Sequence, residues 1–286
     1  MTAALRRIDS HLHLWDLAVS DYDWLGPDNG ELFASFSPEQ AEAELTGFGI
    51  SGAVLVQAED SIADTAYLLD VAARHDWVLG VVGWVPLDDP GATVVQLEKW
   101  EQSPEFCGVR HLVHTDPRDG FLGMESVRQS LLILAGRGLP IDVPDAWPRH
   151  LSDVTALAAA LPGLPIVIDH LGKPPRGSDQ LDAWRDELIR LAAHPNTVAK
   201  LSGLRVPGQP YTAEALAFVW DTALELFGAE RLMWGGDWPM SVPDGGYGPT
   251  AAVLDELVAQ LSVDEQRAIL ADTAIRTYRL WKSAKI

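Results

Sequence analysis

The feature that most constrains the fold of this chain is a regular alternation of short apolar runs with longer amphipathic stretches. The apolar runs are nearly continuous and rich in valine, isoleucine and leucine, which is typical of parallel strands covered on both faces. We predict strands at residues 4–13, 52–57, 78–85, 106–112, 139–143, 165–170, 197–201 and 231–235. We predict helices at 38–48, 62–75, 92–102, 125–137, 150–161, 181–193, 213–227, 249–261 and 263–280.

Eight strands alternating with helices predict an α/β protein, a (β/α)8 TIM barrel formed by a single domain over residues 1–286. A length of 286 residues suits one such barrel, and no repeat or change of composition marks a domain boundary. The alternative is a doubly wound open sheet. That fold would need a glycine-rich phosphate loop after the first strand, where this chain has His11, Leu12 and His13.

Charge and composition limit the classes of partner. The formal net charge of −20 disfavours nucleic acids and anionic membrane surfaces, which such a chain would repel. No apolar run approaches the roughly 20 residues of a membrane span, and no signal peptide is evident, so we predict a cytoplasmic protein. The single cysteine, Cys107, excludes intrachain disulfides and multi-cysteine metal cages, and we interpret it as a small core residue.

Polar or aromatic groups follow most of the predicted strands at their carboxyl ends, where the active sites of α/β barrels lie. This pattern is unusual for a purely structural surface and is the main sequence argument for a functional site. In strand order these groups are His11 and His13, Gln57, Trp84, Arg110 and His111, Asp142, His170, Lys200, and Asp237.

His11 and His13 are two residues apart on a strand, so their side chains share one face, where they can chelate a metal or act together as acid and base. With His170 and Asp237 they form a possible mononuclear zinc set or, without metal, an acid–base cluster. Simpler interpretations stay open: a chance pair at a loop start, a core or capping histidine, and a turn aspartate beside glycine.

Other residues rank lower as site candidates. The long loop at 16–36 has the length of a lid or binding loop. His114 is interpreted as a solvated loop residue, and Lys173 as a ligand contact or an exposed turn lysine. Surface positions are expected for His75, His150 and His194, and either a pocket wall or the core for Trp24, Trp147 and Trp238.

These residues stand in segments that resemble the amidohydrolase superfamily. More narrowly, the chain resembles the related lactonases, a group that includes L-fuconolactonase, L-rhamnonolactonase and 2-pyrone-4,6-dicarboxylate lactonase. The matching segments run in the family's order over nearly the whole chain. They are residues 8–16 (IDSHLHLWD), 54–57 (VLVQ), 108–111 (GVRH), 138–142 (GLPID), 168–174 (IDHLGKP), 200–204 (KLSGL) and 231–239 (RLMWGGDWP).

The resemblance implies hydrolysis of a lactone by attack of water on the ring carbonyl, with Asp237 as the general base. It places His11, His13 and His170 around the carbonyl or a metal, and Arg110 on a substrate carboxylate or hydroxyl. It implies either no required cofactor or one divalent metal, with zinc preferred, since members of the group are known to work without metal. The expected partner is a small lactone, and a homo-oligomer is possible.

The chain departs from the group at two positions, and two alternative functions remain beside lactone hydrolysis. Gly236 stands where the group usually has serine, and Arg205 begins a segment that replaces a commonly acidic one. A metal-dependent decarboxylase of a related barrel group uses a similar residue set, and a non-catalytic sugar-acid binding protein is also open. A binuclear amidase is disfavoured because strands four and five lack its lysine and histidine pair.

The remaining strand-end groups bear on the substrate. We expect Gln57, His111, Trp84, Asp142 and Lys200 to contact it, a mixture that suits hydroxyls on a ring with one apolar face. A dicarboxylate would call for several arginines, and only Arg110 is placed at a strand end. The sequence therefore favours a polar sugar-acid lactone.

Overall fold

The computed structural model describes residues 5–280 and confirms the predicted barrel. Its strands are all parallel and pair in chain order from β1 to β8. The strands are β1 Ile8–Leu12, β2 Gly52–Val56, β3 Val78–Gly83, β4 Phe106–Arg110, β5 Ile141–Val143, β6 Ile166–Ile168, β7 Thr197–Leu201 and β8 Leu232–Trp234.

The first and last strands meet at their carboxyl ends. The backbone N–H of His13 donates to the carbonyl of Trp238 at 2.7 Å, and that of Asp237 donates to the carbonyl of His11 at 2.9 Å. A parallel bridge between Leu12 and Trp238 lies at the same seam. The closure of the barrel therefore brings the His11–His13 segment directly beside Asp237.

Helices alternate with the strands on the outside of the barrel. They are α1 Pro38–Gly47, α2 Ile62–Arg74, α3 Pro90–Trp100, α4 Glu125–Arg137, α5 Leu151–Ala160, α6 Leu181–Ala192, α7 Ala213–Phe227 and α8 Tyr247–Val258. Two begin earlier than predicted, and α3 does so because the Asp89 side chain accepts from the N–H of Ala92 and caps the helix at Pro90. Within residues 5–280, no helix is both long and apolar enough to cross a membrane.

The last helical stretch differs from the prediction of one helix over residues 263–280. It consists of α9 Val263–Arg267, a π-helical turn at Ala268–Asp272 and α10 Thr273–Tyr278. Arg279 adopts a left-handed conformation and ends α10. The π-helical turn is buried at Ala268 to Ala271, and Ala274 and Tyr278 of α10 belong to the same cluster as side chains inside the barrel, so α10 packs against the barrel interior.

Side chains on the two faces of the strands belong to two different clusters. Ala53 and Leu55 of β2 pack with the helices, whereas Val54 and Val56 point the other way, into the barrel. The inner cluster holds Ile8, Val54, Val56, Leu79, Val82, Cys107, Val167 and Met233, joined by Ala271, Ala274, Tyr278 and Leu280. Cys107 is buried there as a core residue, and burial raises the pKa of its thiol.

Polar residues occupy inward positions of β5 and β7. Ile141 and Val143 face the helices, so Asp142 points into the barrel, and Lys200 does so between Ala199 and Leu201. The Lys200 ammonium donates to Asp142 Oδ2 at 2.7 Å, and the Tyr278 hydroxyl donates to the same oxygen at 2.6 Å. All three side chains are fully buried, so the C-terminal helix is tied to the centre of the barrel by a hydrogen bond to a buried ion pair.

Removal of the Tyr278 hydroxyl tests this link. We expect Tyr278→Phe to lower the free energy of unfolding by about 1.5–3 kcal/mol, the range for hydrogen bonds to charged groups. Urea unfolding at constant m-value measures the change. Tyr67→Phe is the matched control, because its half-buried ring has no hydroxyl hydrogen bond among residues 5–280. Equal stability of the two variants would contradict the assignment.

Candidate active site

A cavity of about 160 Å³ opens at the carboxyl ends of the strands. Of the residues predicted from the strand ends, His13, Arg110, His170 and Asp237 line it, while His11 lies immediately beneath them. Loop residues complete the wall, namely Trp15, Trp24, Ala58, Leu112, His114, Thr115, Asp145, Lys173 and Met240. A second opening with Gly203, Leu204 and Arg205 shares Lys173, Asp237 and Met240 with this cavity.

His11 and His13 lie side by side, as their spacing predicts. Their Nε2 atoms are 3.0 Å apart, with the rings at 84° to each other. His13 Nδ1 lies 2.8 Å from the carbonyl oxygen of Val56, and His11 Nδ1 lies 3.0 Å from Nζ of Lys200. The two imidazoles therefore form part of one hydrogen-bonded chain that starts in the barrel interior.

One placement of ring protons satisfies this chain. Lys200 donates to His11 Nδ1, His11 Nε2–H donates to His13 Nε2, and His13 Nδ1–H donates to Val56. Burial, with Lys200 nearby, lowers the pKa of His11 well below its usual value, so its ring is neutral as this chain requires. In this arrangement both Nε2 atoms of the pair are already engaged with each other.

Asp237 is held at the barrel seam with its carboxylate toward the imidazoles. Its backbone is left-handed, with φ 52°, and Oδ1 lies 3.6 Å from His13 Nε2 and 3.7 Å from His11 Nε2. Burial alone would raise the pKa of Asp237, but the neighbouring imidazoles of His170 and His13 outweigh it and hold the pKa below its usual range. The carboxylate is therefore ionised at neutral pH and able to accept a proton.

His170 follows β6 in an unusual backbone conformation. It has φ 57°, and its Nδ1 lies 2.9 Å from the hydroxyl oxygen of Ser202. A side chain at Gly203 would place a Cβ 2.3 Å from Nδ1 of His170, so only glycine leaves room for the ring. Burial lowers the pKa of His170, which leaves its imidazole neutral. The ring packs edge-on against His11, with the two ring centroids 4.6 Å apart.

The same residues fit a divalent metal. Ligand atoms of His11, His170 and Asp237 lie within 4.8 Å of one another, and all three residues are buried. Oδ1 of Asp237 is buried with no hydrogen bond among the described residues, as expected of an atom kept for a ligand. His13 was predicted as a fourth ligand, but it lies outside this group of three.

Two predicted substrate contacts, Lys200 and Asp142, require correction. Both are fully buried and neither lines the cavity, because they point inward and bind each other below His11. Lys200 also lies 3.0 Å from Oδ1 of Asp169. Burial lowers the pKa of Lys200, but the carboxylates of Asp142 and Asp169 raise it by more, so the ammonium is charged. Its contacts support His11 from beneath instead of reaching a substrate.

Gln57, Trp84 and His111 also lie outside the cavity wall, in contrast to their prediction as substrate contacts. Gln57 is fully buried and donates to Asp60 and to the carbonyl of Arg110. His111 is clamped between Asp60 and Asp116 at 3.0 and 2.9 Å, and Trp84 lies against it. The turns after β2, β3 and β4 pack together, so the polar groups of these side chains bind neighbouring protein groups outside the cavity wall.

Arg110 lines the cavity as predicted, although its guanidinium is already bound. Nε donates to Asp169 Oδ2 at 2.9 Å, and Nη1 donates to the carbonyl of Gln57 at 2.9 Å. Burial would raise the pKa of Asp169, but Lys200, His11 and Arg110 lower it well below its usual value. Sequence reasoning gave Asp169 no role, and its inward position beside Ile168 was the available signal.

Asp9 is a second buried carboxylate that sequence reasoning missed. Its oxygens accept from the backbone N–H groups of His11 and Gly236 at 2.9 and 3.0 Å, and from the Tyr247 hydroxyl at 2.8 Å. A Cβ at Gly236 would lie 2.3 Å from the Tyr247 ring. The departure from serine at this position is thus explained by Tyr247, which fills the space beside Asp237.

The loops account for the lower-ranked residues. Trp24, from the predicted binding loop, lies in the cavity wall with its indole N–H on the carbonyl of Ala58 at 2.8 Å. His114 is exposed as expected, yet it also lines the cavity, as does Lys173. The surface prediction is wrong for His150, which is buried because its helix start packs inward. Trp238 is a core residue packed on Phe36.

Comparisons with known proteins agree with this geometry. The model of the amidohydrolase family matches residues 8–280. An L-fucono-1,5-lactonase of Burkholderia ambifaria is 35% identical over 87% of this chain and 85% of its own length, and one of Burkholderia multivorans is 31% identical over 96% of each. The crystal structure of a Burkholderia multivorans amidohydrolase with bound zinc has a TM-score of 0.84 at 31% identity, over 96% of this chain and 99% of that one.

The family match spans almost all of the described residues, and the relatives cover the barrel from end to end. The segments that suggested the resemblance include those of the first and last strands, which meet at the barrel seam. The chain belongs to the amidohydrolase family.

Proposed function

We propose that this protein is a lactonase that opens a sugar-acid lactone, with Asp237 as the general base. The observation that carries the proposal is an ionised, buried carboxylate whose Oδ1 makes no hydrogen bond among residues 5–280, beside the neutral imidazole of His170 in the cavity wall. The two L-fucono-1,5-lactonase relatives support both the reaction and the substrate class.

The proposed reaction needs one water and one base. The water oxygen bonds to the lactone carbonyl carbon while one of its protons passes to Asp237. The bond from that carbon to the ring oxygen then breaks, and the departing oxygen takes the proton back from Asp237. The product is an open-chain hydroxy acid, whose carboxyl group releases a proton to solvent.

The surrounding residues have distinct proposed roles. His170 is fixed through Nδ1 by Ser202, which leaves Nε2 for the carbonyl oxygen of the substrate. Arg110 and His13 are held by Gln57 and Val56, so their positions in the cavity wall do not depend on the substrate. Donors of His170 and Arg110 that are fixed in advance stabilise a developing oxyanion without a cost of reorganisation at the moment of reaction.

His11, His170 and Asp237 would hold a metal, which when bound supplies Lewis-acid polarisation of an oxygen. The hydrogen-bonded chain opposes this use of His11. In that chain His11 Nε2 carries a proton, and ligation through Nε2 requires the proton to move to Nδ1. Asp169 Oδ1, at 3.3 Å from Nδ1, could then accept it, but the Lys200 ammonium at 3.0 Å disfavours that arrangement.

The base is tested by Asp237→Asn, which keeps the shape of the side chain and removes its basicity. We expect turnover of a sugar lactone to fall by about 10²–10⁴, the usual contribution of general-base catalysis. Proton release followed with a pH indicator measures the rate. Asp179→Asn, at an exposed position, serves as the control. Near-normal turnover by folded Asp237→Asn would refute the role.

The prediction about metal concerns whether the activity depends on a metal as well as whether a metal binds. We expect the purified enzyme to keep most of its activity after treatment with a chelator, because Lys200 holds His11 in the tautomer that does not ligate through Nε2. Elemental analysis and a chelator titration measure content and activity together. A stoichiometric metal whose removal abolishes turnover, and whose return restores it, would contradict this expectation.

The substrate class is tested by competition between lactones. The cations near the cavity are largely committed: Arg110 binds Asp169, Arg149 binds Asp119, and Arg205 stacks on Tyr211 at 4.4 Å. We therefore expect a higher kcat/KM for L-fucono- and L-rhamnonolactones than for 2-pyrone-4,6-dicarboxylate. A clear preference for the dicarboxylate would overturn the substrate class. Tight binding of lactones without turnover, or decarboxylation alone, would overturn the reaction.

A further inference from the structure

Asp145 and Lys173 form a pair in the cavity wall that the proposed chemistry does not use. Asp145 lies in the loop after β5, and Lys173 lies in the loop after β6. Asp145 Oδ2 is 3.9 Å from the Lys173 ammonium, a separation too long for a hydrogen bond between them. Both side chains remain partly exposed, at 28% and 39%. The pair is therefore open to a ligand in the cavity.

The second carboxylate oxygen of Asp145 lacks a partner. Oδ1 is buried, and it makes no hydrogen bond among the described residues although it belongs to a charged group in the cavity wall. Buried acceptors of this kind are rare, since leaving one unpaired costs free energy. The missing partner is thus expected to be a hydrogen-bond donor that enters the cavity.

The backbone holds both residues in place. Asp145 has φ 42° and Lys173 has φ 66°, left-handed conformations that side-chain-bearing residues adopt at a cost and that cluster at binding sites. The N–H of Trp147 donates to the carbonyl of Gly172 at 2.9 Å and ties the two loops together. The N–H of Lys173 donates to the carbonyl of His170 at 2.9 Å, so the pair is anchored to the site itself.

The chemistry of the pair selects a class of ligand. A carboxylate accepts from hydroxyl groups, and an ammonium donates to hydroxyl oxygens, so neighbouring hydroxyls on a ring satisfy both partners. A carboxylate on the substrate would gain Lys173 but would be repelled by Asp145. Trp24 and Met240 supply apolar surface in the same cavity for a ring face or methyl group.

We propose that Asp145 and Lys173 bind the ring hydroxyls of the substrate and so make the enzyme specific for uncharged, hydroxylated lactones. This inference rests on the proposed lactonase function and names its specificity-determining residues. It also gives Asp145 the repulsion of substrate carboxylates, because Asp142, which the sequence placed in contact with the substrate, is buried beneath the site.

The experiment compares L-fucono-1,5-lactone with δ-valerolactone, a six-membered lactone without hydroxyls. We expect Asp145→Asn to lower the ratio of kcat/KM for L-fucono-1,5-lactone to kcat/KM for δ-valerolactone by about 10-fold to 100-fold, as for the loss of a hydrogen bond to a charged group. Asparagine tolerates the left-handed backbone, which favours correct folding. Lys173→Met should lower the same ratio from the other side of the pair. Asp119→Asn, whose side chain is 95% exposed, should leave it unchanged.

A purely structural ion pair predicts a different result. Loss of such a pair would change the melting temperature and would alter kcat/KM for both lactones by the same factor. An unchanged ratio of the kcat/KM values in both folded variants therefore overturns the inference. Calorimetric binding of L-fucose, which has ring hydroxyls but no lactone carbonyl, needs no turnover. If the wild type opens no lactone, the proposed function is refuted. Weaker L-fucose binding by Asp145→Asn would still support the pair as a binding site for ring hydroxyls.

Discussion

A lysine ammonium buried at the centre of the barrel imposes the arrangement on which the site depends. Lys200 is fully inaccessible to solvent, and a buried charge is tolerated only where partners of opposite sign and hydrogen-bond acceptors surround it. β5 supplies Asp142, the turn after β6 supplies Asp169, and β1 supplies His11. These groups come from separate parts of the chain, so satisfying one cation fixes the relative positions of several strand ends.

The contacts of Lys200 connect it with the cavity above and, through Asp142, with α10 below. Above Lys200, the donated hydrogen bond sets the proton positions of His11 and, through it, His13. Below, Tyr278 adds a donor to Asp142 and ties the last helix to the barrel centre. Breaking one member of such a network leaves an uncompensated charge behind, which is why the binding surface and the fold's terminal packing are energetically linked.

Another buried carboxylate, outside the Lys200 network, organises the seam at which the barrel closes. Asp9 receives the N–H groups of His11 and Gly236, and thereby holds the segments that carry the paired histidines and Asp237. Tyr247 completes the set of donors and occupies the space that a side chain at position 236 would need. Glycine at position 236 therefore leaves room for Tyr247 beside the carboxylate that faces the cavity.

The sequence by itself determined the barrel, the family and the strand ends at which the site lies. Apolar periodicity and the spacing of His11 and His13 are local properties, so they can be interpreted from the sequence without knowledge of the packing. Only the tertiary structure decided which strand-end groups face the cavity. Inward direction alone does not distinguish Arg110, which reaches the cavity, from Lys200 and Asp142, which pair beneath it. The role of Asp145 likewise depends on a loop whose course is set by contacts with the next loop along the barrel. Depth along the barrel axis and the identity of buried partners arise from contacts between distant segments, and the order of residues along the chain does not encode them locally.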